Sequence, residues 1–461
     1  MPTDTKSRDN SKVQLKFIVA GAGISGLAVA ATLRKAGHDV LVVEKSNGKI
    51  RSKGGIQSPP NMTKLLHKWG LGPNLKERAH KCDRFFFSNG GTGDLIGCMN
   101  MGEGFLGDLS ADFLFLQHRD LYNMLYQLAV KEGVEFRFNS TIVDADNVAV
   151  SVTLDSEEVL YADVIIGADG FDSLLRQVVT DSGDEPPDVT DTHVIATFLI
   201  PVHLMEDDED LRMLLNARNW HIWLGNGYVM NANMLVGEKD FTVTIIHHYD
   251  GPRYPGDLNW TEERTLESLG IHMKNFDPIL QRLLKLATSV SSRIYVRRPV
   301  PEDFVCANSR VVLVGESAHP MLPASNHGVA LILEDAQTLG LLFSRIRNRD
   351  QIPQLLTAYE EIRHPYTAEV WLYDHEQRRG MKAPLGPEQQ MRDAILSQTM
   401  ASGHWDHMDD SPVFRQVWGN ELRLWTYDPT DKVEDWWGQY GSFIMRRHDR
   451  SSMEVTDISF S

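Results

Sequence analysis

Three glycines and one glutamate near the start of the chain carry the clearest chemical signal. Gly21, Gly23 and Gly26 form a G-x-G-x-x-G pattern, and Glu44 follows it at the end of an apolar run. The first glycine permits a tight turn, the second lets main chain approach a diphosphate, and the third lets a helix pack closely on a strand. An acidic residue at the position of Glu44 can accept hydrogen bonds from the ribose of an adenosine. We therefore predict a dinucleotide site.

The elements around this pattern are a strand, a helix and a second strand. Phe17–Ala20 is a short apolar run, Ile24–Lys35 is rich in Ala and Leu, and Val40–Val43 precedes the glutamate. The free N–H groups at the start of the helix would face the diphosphate. A second match to the glycine pattern, Gly102–Gly107, has no apolar strand before it and no acidic residue after a second strand. We therefore do not expect a nucleotide there.

Composition excludes several classes of partner. The 461 residues include 46 basic and 63 acidic ones, a net charge of −17, which argues against nucleic acid and anionic membranes as partners. No run of 18 apolar residues occurs, so we expect no transmembrane segment. Residues 1–12 are polar, which predicts a disordered tail and no signal peptide. The three scattered cysteines, Cys82, Cys98 and Cys306, suit a reducing compartment. We expect a soluble, cytoplasmic protein.

The middle of the chain has a different pattern. Apolar runs between Thr192 and Tyr249 are joined by glycine or charged turns without a long helix, which predicts an antiparallel sheet. Such a sheet is a natural floor for a substrate chamber. The spacing then predicts helices over Thr261–Lys274 and Pro278–Ala287.

A second buried strand, Arg310–Val314, ends at Gly315 and Glu316, and Gly328 opens a long helix. The start of that helix would again offer N–H groups to an anion or a carbonyl. Residues 371–461 hold five of the ten tryptophans, namely Trp405, Trp418, Trp425, Trp436 and Trp437. We interpret this region as a helical cap in which the tryptophans serve packing, with an aromatic substrate cage as the alternative.

Three motifs in this order resemble a known family. They are Gly21–Gly26 with Glu44, the stretch Asp163–Arg176 with its Gly167-Ala168-Asp169-Gly170 centre, and Arg310–Asp335. Together they resemble the flavin-dependent aromatic hydroxylases with the para-hydroxybenzoate hydroxylase fold, nearest the salicylate hydroxylase-like branch. The resemblance extends over about residues 15–430.

The resemblance implies an α/β fold in which a Rossmann-like FAD-binding domain is interleaved with an antiparallel-sheet substrate domain, followed by a helical C-terminal region. The implied division is a tail 1–12, an FAD-binding domain of 13–82, 117–182 and 299–370, a substrate domain of 83–116 and 183–298, and a helical region 371–461.

The resemblance also implies that the bound dinucleotide is FAD and assigns residues to it. Glu44 would bind the adenosine ribose, Gly55 would lie along the cofactor near Arg51, and Arg119 would contact FAD on the flavin side. Asp169 is linked to FAD and to the handling of the nicotinamide cofactor. Glu316 would hold the ribityl chain. The implied set is Gly21, Gly23, Gly26, Glu44, Gly55, Arg119, Asp169, Glu316, Gly328 and Val329, the last two by their amides at the pyrimidine edge of the flavin.

Two departures from the family pattern concern the cofactor and the substrate. Glu316 stands where the family usually has Asp, so the carboxylate would be moved by one methylene. Many relatives carry Arg in the first strand of the substrate sheet, where we place Thr197, and a common Tyr-Pro pair is replaced around Asn231–Asn233. A large neutral or cationic substrate therefore fits this chain better than a simple benzoate.

The implied reaction is a monooxygenation. NADPH or NADH binds transiently and reduces FAD, O2 forms a flavin C4a-hydroperoxide, and one oxygen atom passes to an aromatic or indole-like, alkaloid-like small molecule of secondary metabolism, by hydroxylation or epoxidation. The alternatives are an FAD oxidase or dehydrogenase without oxygen transfer, and a flavin-binding protein without turnover, for which Glu316 is the sole support. We expect a monomer or homodimer.

No catalytic acid or base is predicted from the sequence. His221, Tyr228 and His247 lie on the predicted sheet and are weak candidates for proton transfer, because a half-buried His or Tyr commonly has a packing role. His247 and His248 are adjacent and would point to opposite sides of a strand, so they cannot hold one metal ion together. We expect no metal. His319 is expected to order its loop.

Overall fold

The computed structural model describes residues 13–49, 54–181, 183–235, 237, 239–249, 261–322, 325–401 and 412–442. The predicted tail, residues 1–12, lies outside the described residues, as do Arg51 and Trp405.

Nineteen strands are assigned in the described residues. They are β1 Lys16–Ala20, β2 Asp39–Val43, β3 Gly55–Ser58, β4 Ala79–Lys81, β5 Arg84–Asn89, β6 Leu95–Asn100, β7 Leu114–Gln117, β8 Glu135–Arg137, β9 Ile142–Asp146, β10 Ser151–Leu154, β11 Val159–Tyr161, β12 Val164–Gly167, β13 Asp188–Pro201, β14 Asn219–Leu224, β15 Tyr228–Met234, β16 Asp240–His248, β17 Thr261–Arg264, β18 Val290–Arg297 and β19 Val311–Leu313.

Thirteen α-helices are assigned in the same residues. They are α1 Ile24–Lys35, α2 Pro60–Lys68, α3 Gly72–Arg78, α4 Glu103–Asp108, α5 His118–Glu132, α6 Leu174–Val179, α7 Glu209–Arg212, α8 Pro278–Lys285, α9 Gly328–Ser344, α10 Ile352–Met381, α11 Pro387–Ala401, α12 Pro412–Trp425 and α13 Pro429–Trp436.

A five-stranded parallel sheet, in the order β19-β12-β1-β2-β8, draws its strands from segments far apart in the chain. Strands β1, β12 and β19 are apolar on both faces and, apart from Lys16, buried, as expected for a parallel sheet covered by helices. Helix α1 packs against α9 and α5. Because all strands point the same way, their carboxyl ends meet at one edge, where ligands of such sheets bind.

An eight-stranded sheet, in the order β17-β18-β13-β16-β15-β14-β5-β6, forms the second layer. All pairs in it are antiparallel except β14 with β5, which run parallel. Successive side chains of a strand alternate between its faces. One face packs on α8 and neighbouring turns in an apolar cluster, and the other face builds a separate cluster with α12. The two faces therefore have different roles.

The predicted helix over Thr261–Lys274 is wrong. Thr261–Arg264 forms strand β17, which pairs with β18, and short 3-10 turns follow. Gly270 has a φ of +78°, a left-handed conformation that an α-helix cannot continue through. Pairing at the sheet edge and this glycine outweigh the helical spacing of the apolar residues.

The end of the chain is helical over the described residues, from α10 to α13. Helix α10 runs for 30 residues and contains Pro365. We find no helix among the described residues that is both long and apolar enough to cross a bilayer. The domain boundaries given above remain a prediction.

Candidate functional site

The three sequence motifs converge at the carboxyl edge of the parallel sheet. The main chain joins them directly, since the Gly21 N–H donates to the carbonyl of Val43 at 2.8 Å and the Ala168 N–H to that of Ala20 at 3.0 Å. The Val314 N–H donates to the carbonyl of Gly167 at 2.9 Å. Segments separated by about 300 residues thus form one surface by parallel pairing of β1, β12 and β19.

Each glycine of the first turn has its own steric environment. Gly21 has a φ of +100°, and a Cβ there would lie 2.5 Å from the carbonyl oxygen of Ala168. A Cβ on Gly26 would lie 1.9 Å from the oxygen of Gly21, so the start of α1 packs directly on the turn. A Cβ on Gly23 would meet no atom of the described residues within 4 Å. Gly23 therefore borders open space at the N-terminus of α1, where a diphosphate would approach.

Glu44 is fixed by the main chain. Its Oε2 accepts the Ala22 N–H at 2.8 Å, and its Oε1 accepts the Ser46 N–H at 2.7 Å. A carboxylate oxygen has a further lone pair, so both oxygens keep the capacity to accept from ribose hydroxyls. The residue is held beside the glycine turn in the orientation that this role needs.

Gly55 lies in a small three-stranded sheet, and Arg119 lies just beyond the end of that sheet. Gly55 on β3 is paired with Gln117 on β7, and Arg119 follows in the first turn of α5. The Arg119 side chain is exposed and donates from Nη2 to Gln117 Oε1 at 3.3 Å. Between Gln117 and Arg119, His118 is half-buried. Its Nδ1 is buried without a hydrogen-bond partner in the described residues, and desolvation lowers its pKa to about 4. No motif in the sequence points to His118.

Asp169 connects the second motif to the third. Its Oδ1 accepts from Ser173 Oγ at 2.5 Å and from Ser317 Oγ at 3.0 Å, and its Oδ2 accepts the Leu175 N–H at 3.1 Å. These bonds fix the start of α6 and the loop that follows β19. The structure therefore shows Asp169 as an organiser of the loops, and its contact with cofactors remains a prediction.

Glu316 forms an ion pair that the sequence did not predict. Its Oε1 lies 3.2 Å from Nη1 of Arg293 on β18, and its side chain is 37% exposed. Arg293 is buried, stands over the ring of Phe171 at 5.4 Å, and keeps its Nε without a hydrogen-bond partner in the described residues. The side chain of Glu316 thus bridges the eight-stranded sheet and the loop that follows β19, which we call the cofactor loop.

Helix α9 begins at Gly328, as predicted. The Gly328 N–H already donates to Ser325 Oγ at 3.2 Å, so a contact between this amide and a flavin would have to share or displace that hydroxyl. Val329 follows in the first turn and is half-buried. These two amides remain proposed contacts.

A buried network of charged side chains on α9 and α10 holds the cofactor loop in place. Asp335 on α9 accepts the Gly315 N–H at 3.1 Å, contacts His319 Nε2 at 2.6 Å and pairs with Arg363 Nε at 2.9 Å. Arg363 also pairs with Glu334 at 3.0 Å. Burial opposes ionisation of Asp335, yet His319 and Arg363 together lower its pKa, while burial raises the pKa of Glu334. The ordering role expected for His319 agrees with these contacts.

A cavity lies between one face of the eight-stranded sheet and the C-terminal helices, and we call it the chamber. Its volume is about 610 Å³ including its open mouth. Sheet residues and the helices α10 and α12 both supply its wall. Its lining consists of Phe85, Phe87, Trp220, Ile222, Val229, Asn231, Asn326, Asp374, Gln377, Arg378, Met381, Trp418, Glu421 and Trp425.

The three proton-transfer candidates from the sequence point away from the chamber. Because Trp220 and Ile222 of β14 line it, the intervening His221 faces the opposite side. Tyr228 precedes the chamber residue Val229, and its strand partner His247 shares its face. Burial lowers the pKa of His221 to about 4, and His247 contacts the carbonyl of Leu269. These three side chains therefore cannot touch a ligand in the chamber.

Thr197 and Asn231, noted at the positions of family departures, lie on the chamber side of the sheet. Thr197 Oγ1 lies 3.0 Å from Thr244 Oγ1, and Thr244 is paired with Asn231 on β15. The strand neighbour of Ile195, two residues before Thr197, is Arg293. An arginine thus reaches this face from β18, although the first strand of the sheet carries none at the expected position.

Trp418 and Trp425 both pack against the eight-stranded sheet and line the chamber. Trp425 packs against Phe85 and Phe113, with ring centroids 6.3 Å and 5.6 Å away, and Trp418 packs against Phe87 at 5.6 Å. Both also line the chamber, and the Nε1 atoms of both are buried without a hydrogen-bond partner in the described residues. The packing interpretation is therefore incomplete for Trp418 and Trp425.

The residues present fit a bound FAD. The open space at Gly23, the glycines that bring main chain to the sheet edge, and the positioned carboxylate of Glu44 make a cradle for a dinucleotide. The start of α9 lies next to the chamber, because Asn326 lines the chamber two residues before Gly328. Within the described ranges, no cluster of three or more His, Cys, Asp and Glu side chains is arranged to hold a metal ion.

Comparison with known proteins gives the same class. The family model described as "FAD binding domain" matches residues 14–372. The chain is 26% identical to the FAD-dependent monooxygenase atnJ of Arthrinium sp over 92% of this chain and 96% of the relative. It is 27% identical to 3-hydroxybenzoate 6-hydroxylase of Klebsiella oxytoca over 83% of this chain and 92% of the relative.

A solved structure titled "Salicylate hydroxylase substrate complex" superposes with a TM-score of 0.73 at 20% identity, covering 92% of this chain and 98% of that chain. This likeness confirms the predicted fold class, an α/β arrangement with parallel and antiparallel sheets and a helical C-terminal region. The predicted resemblance and the predicted cofactor, FAD, are confirmed by the family match. The chain belongs to the FAD-binding domain family and, with these relatives, to the FAD-dependent monooxygenases.

Proposed function

We propose that this protein hydroxylates an aromatic small molecule held in the chamber, with FAD, NADPH or NADH, and O2. The net reaction converts a ring C–H, O2, NAD(P)H and a proton into a ring C–OH, water and NAD(P)⁺. An aromatic substrate is supported by relatives such as 3-hydroxybenzoate 6-hydroxylase and by the aromatic wall of the chamber. Epoxidation of an indole-like ring is a variant of the same oxygen transfer.

The observation that carries this proposal is the contact between the two parts of the site. The loop before α9 contributes Asn326 to the chamber wall, and the predicted flavin-edge amides of Gly328 and Val329 follow immediately. A cofactor that runs from the glycine turn at Gly21 to the start of α9 would thus end with its reactive ring at the chamber.

Bound FAD supplies the electron transfer and the activation of O2, and the chain supplies binding, orientation and shielding. The glycine turn and Glu44 hold the dinucleotide end, and the network below Glu316 fixes the loop beside the ribityl chain. Trp220, Trp418, Phe85 and Phe87 would exclude water from the ring that reacts. The ten residues implied by the resemblance are our proposed cofactor contacts.

The direct test is isotope labelling. Purified FAD-loaded protein would be mixed with NADPH or NADH, ¹⁸O2 and a panel of phenolic and indolic compounds, and products would be analysed by mass spectrometry. The proposal expects a product that contains one ¹⁸O atom, formed with consumption of one NAD(P)H. Reduction of FAD followed by stoichiometric release of H2O2, with no labelled product from any compound, would instead support the oxidase or dehydrogenase.

We further propose a natural product as the substrate, because the chamber opens to solvent, its wall is largely aromatic and aliphatic, and no arginine stands at the position of Thr197. The same panel tests this proposal when alkaloid-like compounds are compared with simple benzoates. A monomer or homodimer remains our expectation, and sedimentation of the FAD-loaded protein would measure it.

A further inference from the structure

One carboxylate in the chamber wall keeps a buried oxygen that no hydrogen-bond donor of the described residues reaches. Asp374 on α10 is 6% exposed, and its Oδ2 is buried without a hydrogen-bond partner in the described residues. Leaving a buried acceptor unpaired is costly, and more so when the group is charged. Such a group in a cavity wall points to a partner that arrives with a ligand.

The second carboxylate of the chamber is already engaged. Glu421 on α12 accepts from the hydroxyl of Tyr373 at 3.1 Å, and its Oε2 lies 3.1 Å from Nε2 of His327. Burial alone would lower the pKa of His327, but the carboxylates around it, Glu421 first, outweigh burial and raise that pKa. Glu421 and His327 therefore neutralise one another, and Asp374 is the acceptor left for a ligand.

The positive charge in the chamber belongs to Arg378, which already interacts with carboxylates. Arg378 lies one turn along α10 from Asp374 and lines the same wall. Burial lowers its pKa, and Asp374 and Glu421 oppose that shift because both carboxylates interact with the guanidinium. A ring carboxylate that took the place of an O–H or N–H donor at Asp374 would bring two negative groups together across a low-dielectric space, which is unfavourable.

We propose that Asp374 determines substrate specificity by accepting a hydrogen bond from an O–H or N–H group on the aromatic substrate, and that the chamber thereby rejects ring carboxylates. This inference rests on the proposed function of the chamber as the ring site. The sheet supplies flat aromatic and aliphatic contacts that fix the plane of a ring but not its rotation. A single charged acceptor on one side fixes the rotation, and with it the ring carbon nearest the cofactor.

Binding of three matched naphthalenes to the FAD-loaded protein tests the proposal by isothermal titration calorimetry. The probes are 2-naphthol, which donates an O–H, 2-methoxynaphthalene, which has no donor, and 2-naphthoate, which is an anion. We expect 2-naphthol to bind about 10- to 100-fold more tightly than the other two, the range typical of a hydrogen bond to a charged group. This comparison uses the unaltered chain and depends on no variant.

Asp374→Asn then removes the charge while keeping the shape. We expect the preference for 2-naphthol to fall to within about threefold and 2-naphthoate to bind more tightly, with FAD content and melting temperature retained. The matched control is Glu376→Gln, the same change on the same helix at an exposed ion pair with Arg379. All three affinities should be unchanged in that variant.

Equal affinities of the three probes for the unaltered protein would overturn the role of Asp374, as would an unchanged preference in Asp374→Asn. Absence of binding by all three probes would overturn the chamber as a ring site, and the inference with it. The binding assay does not measure oxygen transfer. A failure of oxygen transfer would therefore count against the proposed function and not against the role of Asp374.

Discussion

The glycine turn and the chamber recognise their ligands by different means. At the turn, main-chain atoms form the surface, the carboxylate of Glu44 is held by two N–H groups, and side chains contribute little. In the chamber, side chains form the surface, and several buried polar atoms, including Asp374 Oδ2 and three indole N–H groups, have no partner in the described residues.

The difference shows how one fold can keep its cofactor and vary its substrate. A surface of main chain depends on backbone geometry, which few residues other than glycine allow at these positions. A surface of side chains on a sheet and two helices can change residue by residue without altering the backbone. We therefore expect substitutions on the cofactor side to affect folding and FAD binding together, and substitutions in the chamber to affect ligand preference alone.

The largest effect should come from the charge network under the cofactor loop. Arg363→Met would leave Glu334 and Asp335 buried without their cation, and we expect a loss of about 3–5 kcal/mol in the free energy of unfolding. Urea denaturation of the FAD-loaded protein measures it. Arg423→Met removes an exposed pair with Glu369 and should cost no more than about 1 kcal/mol. Equal losses in the two variants would contradict the assigned role of the network.

A pair of alanine substitutions separates packing from ligand contact within the turn. Gly26→Ala places a Cβ 1.9 Å from a carbonyl oxygen and should lower the free energy of unfolding by about 3 kcal/mol, together with FAD content. Gly23→Ala meets no protein atom within 4 Å, so it should reduce FAD affinity while the FAD-free protein keeps its melting temperature. If Gly23→Ala binds FAD normally, the diphosphate does not pass there.

A smaller effect on FAD affinity is expected from substitution of Glu44, which is also on the cofactor side. Glu44→Ala removes the acceptor of two main-chain N–H groups and of the proposed ribose bonds, and we expect a loss of about 10- to 100-fold in FAD affinity. Arg119→Ala should lower FAD affinity less, because its side chain is exposed. Flavin fluorescence during titration of the FAD-free protein measures both. Unchanged affinity in both variants would overturn the proposed contacts.

The remaining expected effect is a pH dependence of stability near the chamber. Lys382 follows the chamber residue Met381 and contacts His193, and burial, with the charge of Arg378, lowers its pKa to about 8 from an ordinary value of 10.5. Between these two values the unfolded chain binds more protons, so stability should rise with pH across this window. Lys382→Met should flatten that rise, as measured by melting temperature from pH 7.5 to 10.5. Identical slopes would exclude Lys382 as its cause.

The cofactor side was predictable from the sequence because its geometry depends on residues close together in the chain. Gly21, Gly23 and Gly26 act within one turn, and the apolar runs beside them identify buried parallel strands without knowledge of the rest of the chain. The convergence of the three motifs then follows from the common direction of parallel strands. Contacts between distant side chains were not predictable, and the pair of Glu316 with Arg293 is the clearest case.

A chamber on this sheet was predicted, but its lining residues could not be, because they depend on which face of each strand turns inward. His221 and Trp220 are neighbours, yet one faces the apolar cluster on α8 and the other faces the chamber. Strand pairing sets this choice, and a shift of one residue would reverse it. Asp374 and Trp418 come from helices whose arrangement over the sheet has no local signal. The position of the substrate-binding residues is therefore a property of the tertiary structure.

The most direct test of the account is a spectrum of the purified protein before and after a ring ligand is added. We predict bound FAD with absorption near ~450 nm and a shift of this flavin band when 2-naphthol fills the chamber. Both results together would show that the cofactor path from Gly21 to Gly328 ends at the chamber. A protein that takes up no flavin, or whose flavin spectrum is unchanged while 2-naphthol binds, would contradict this central claim.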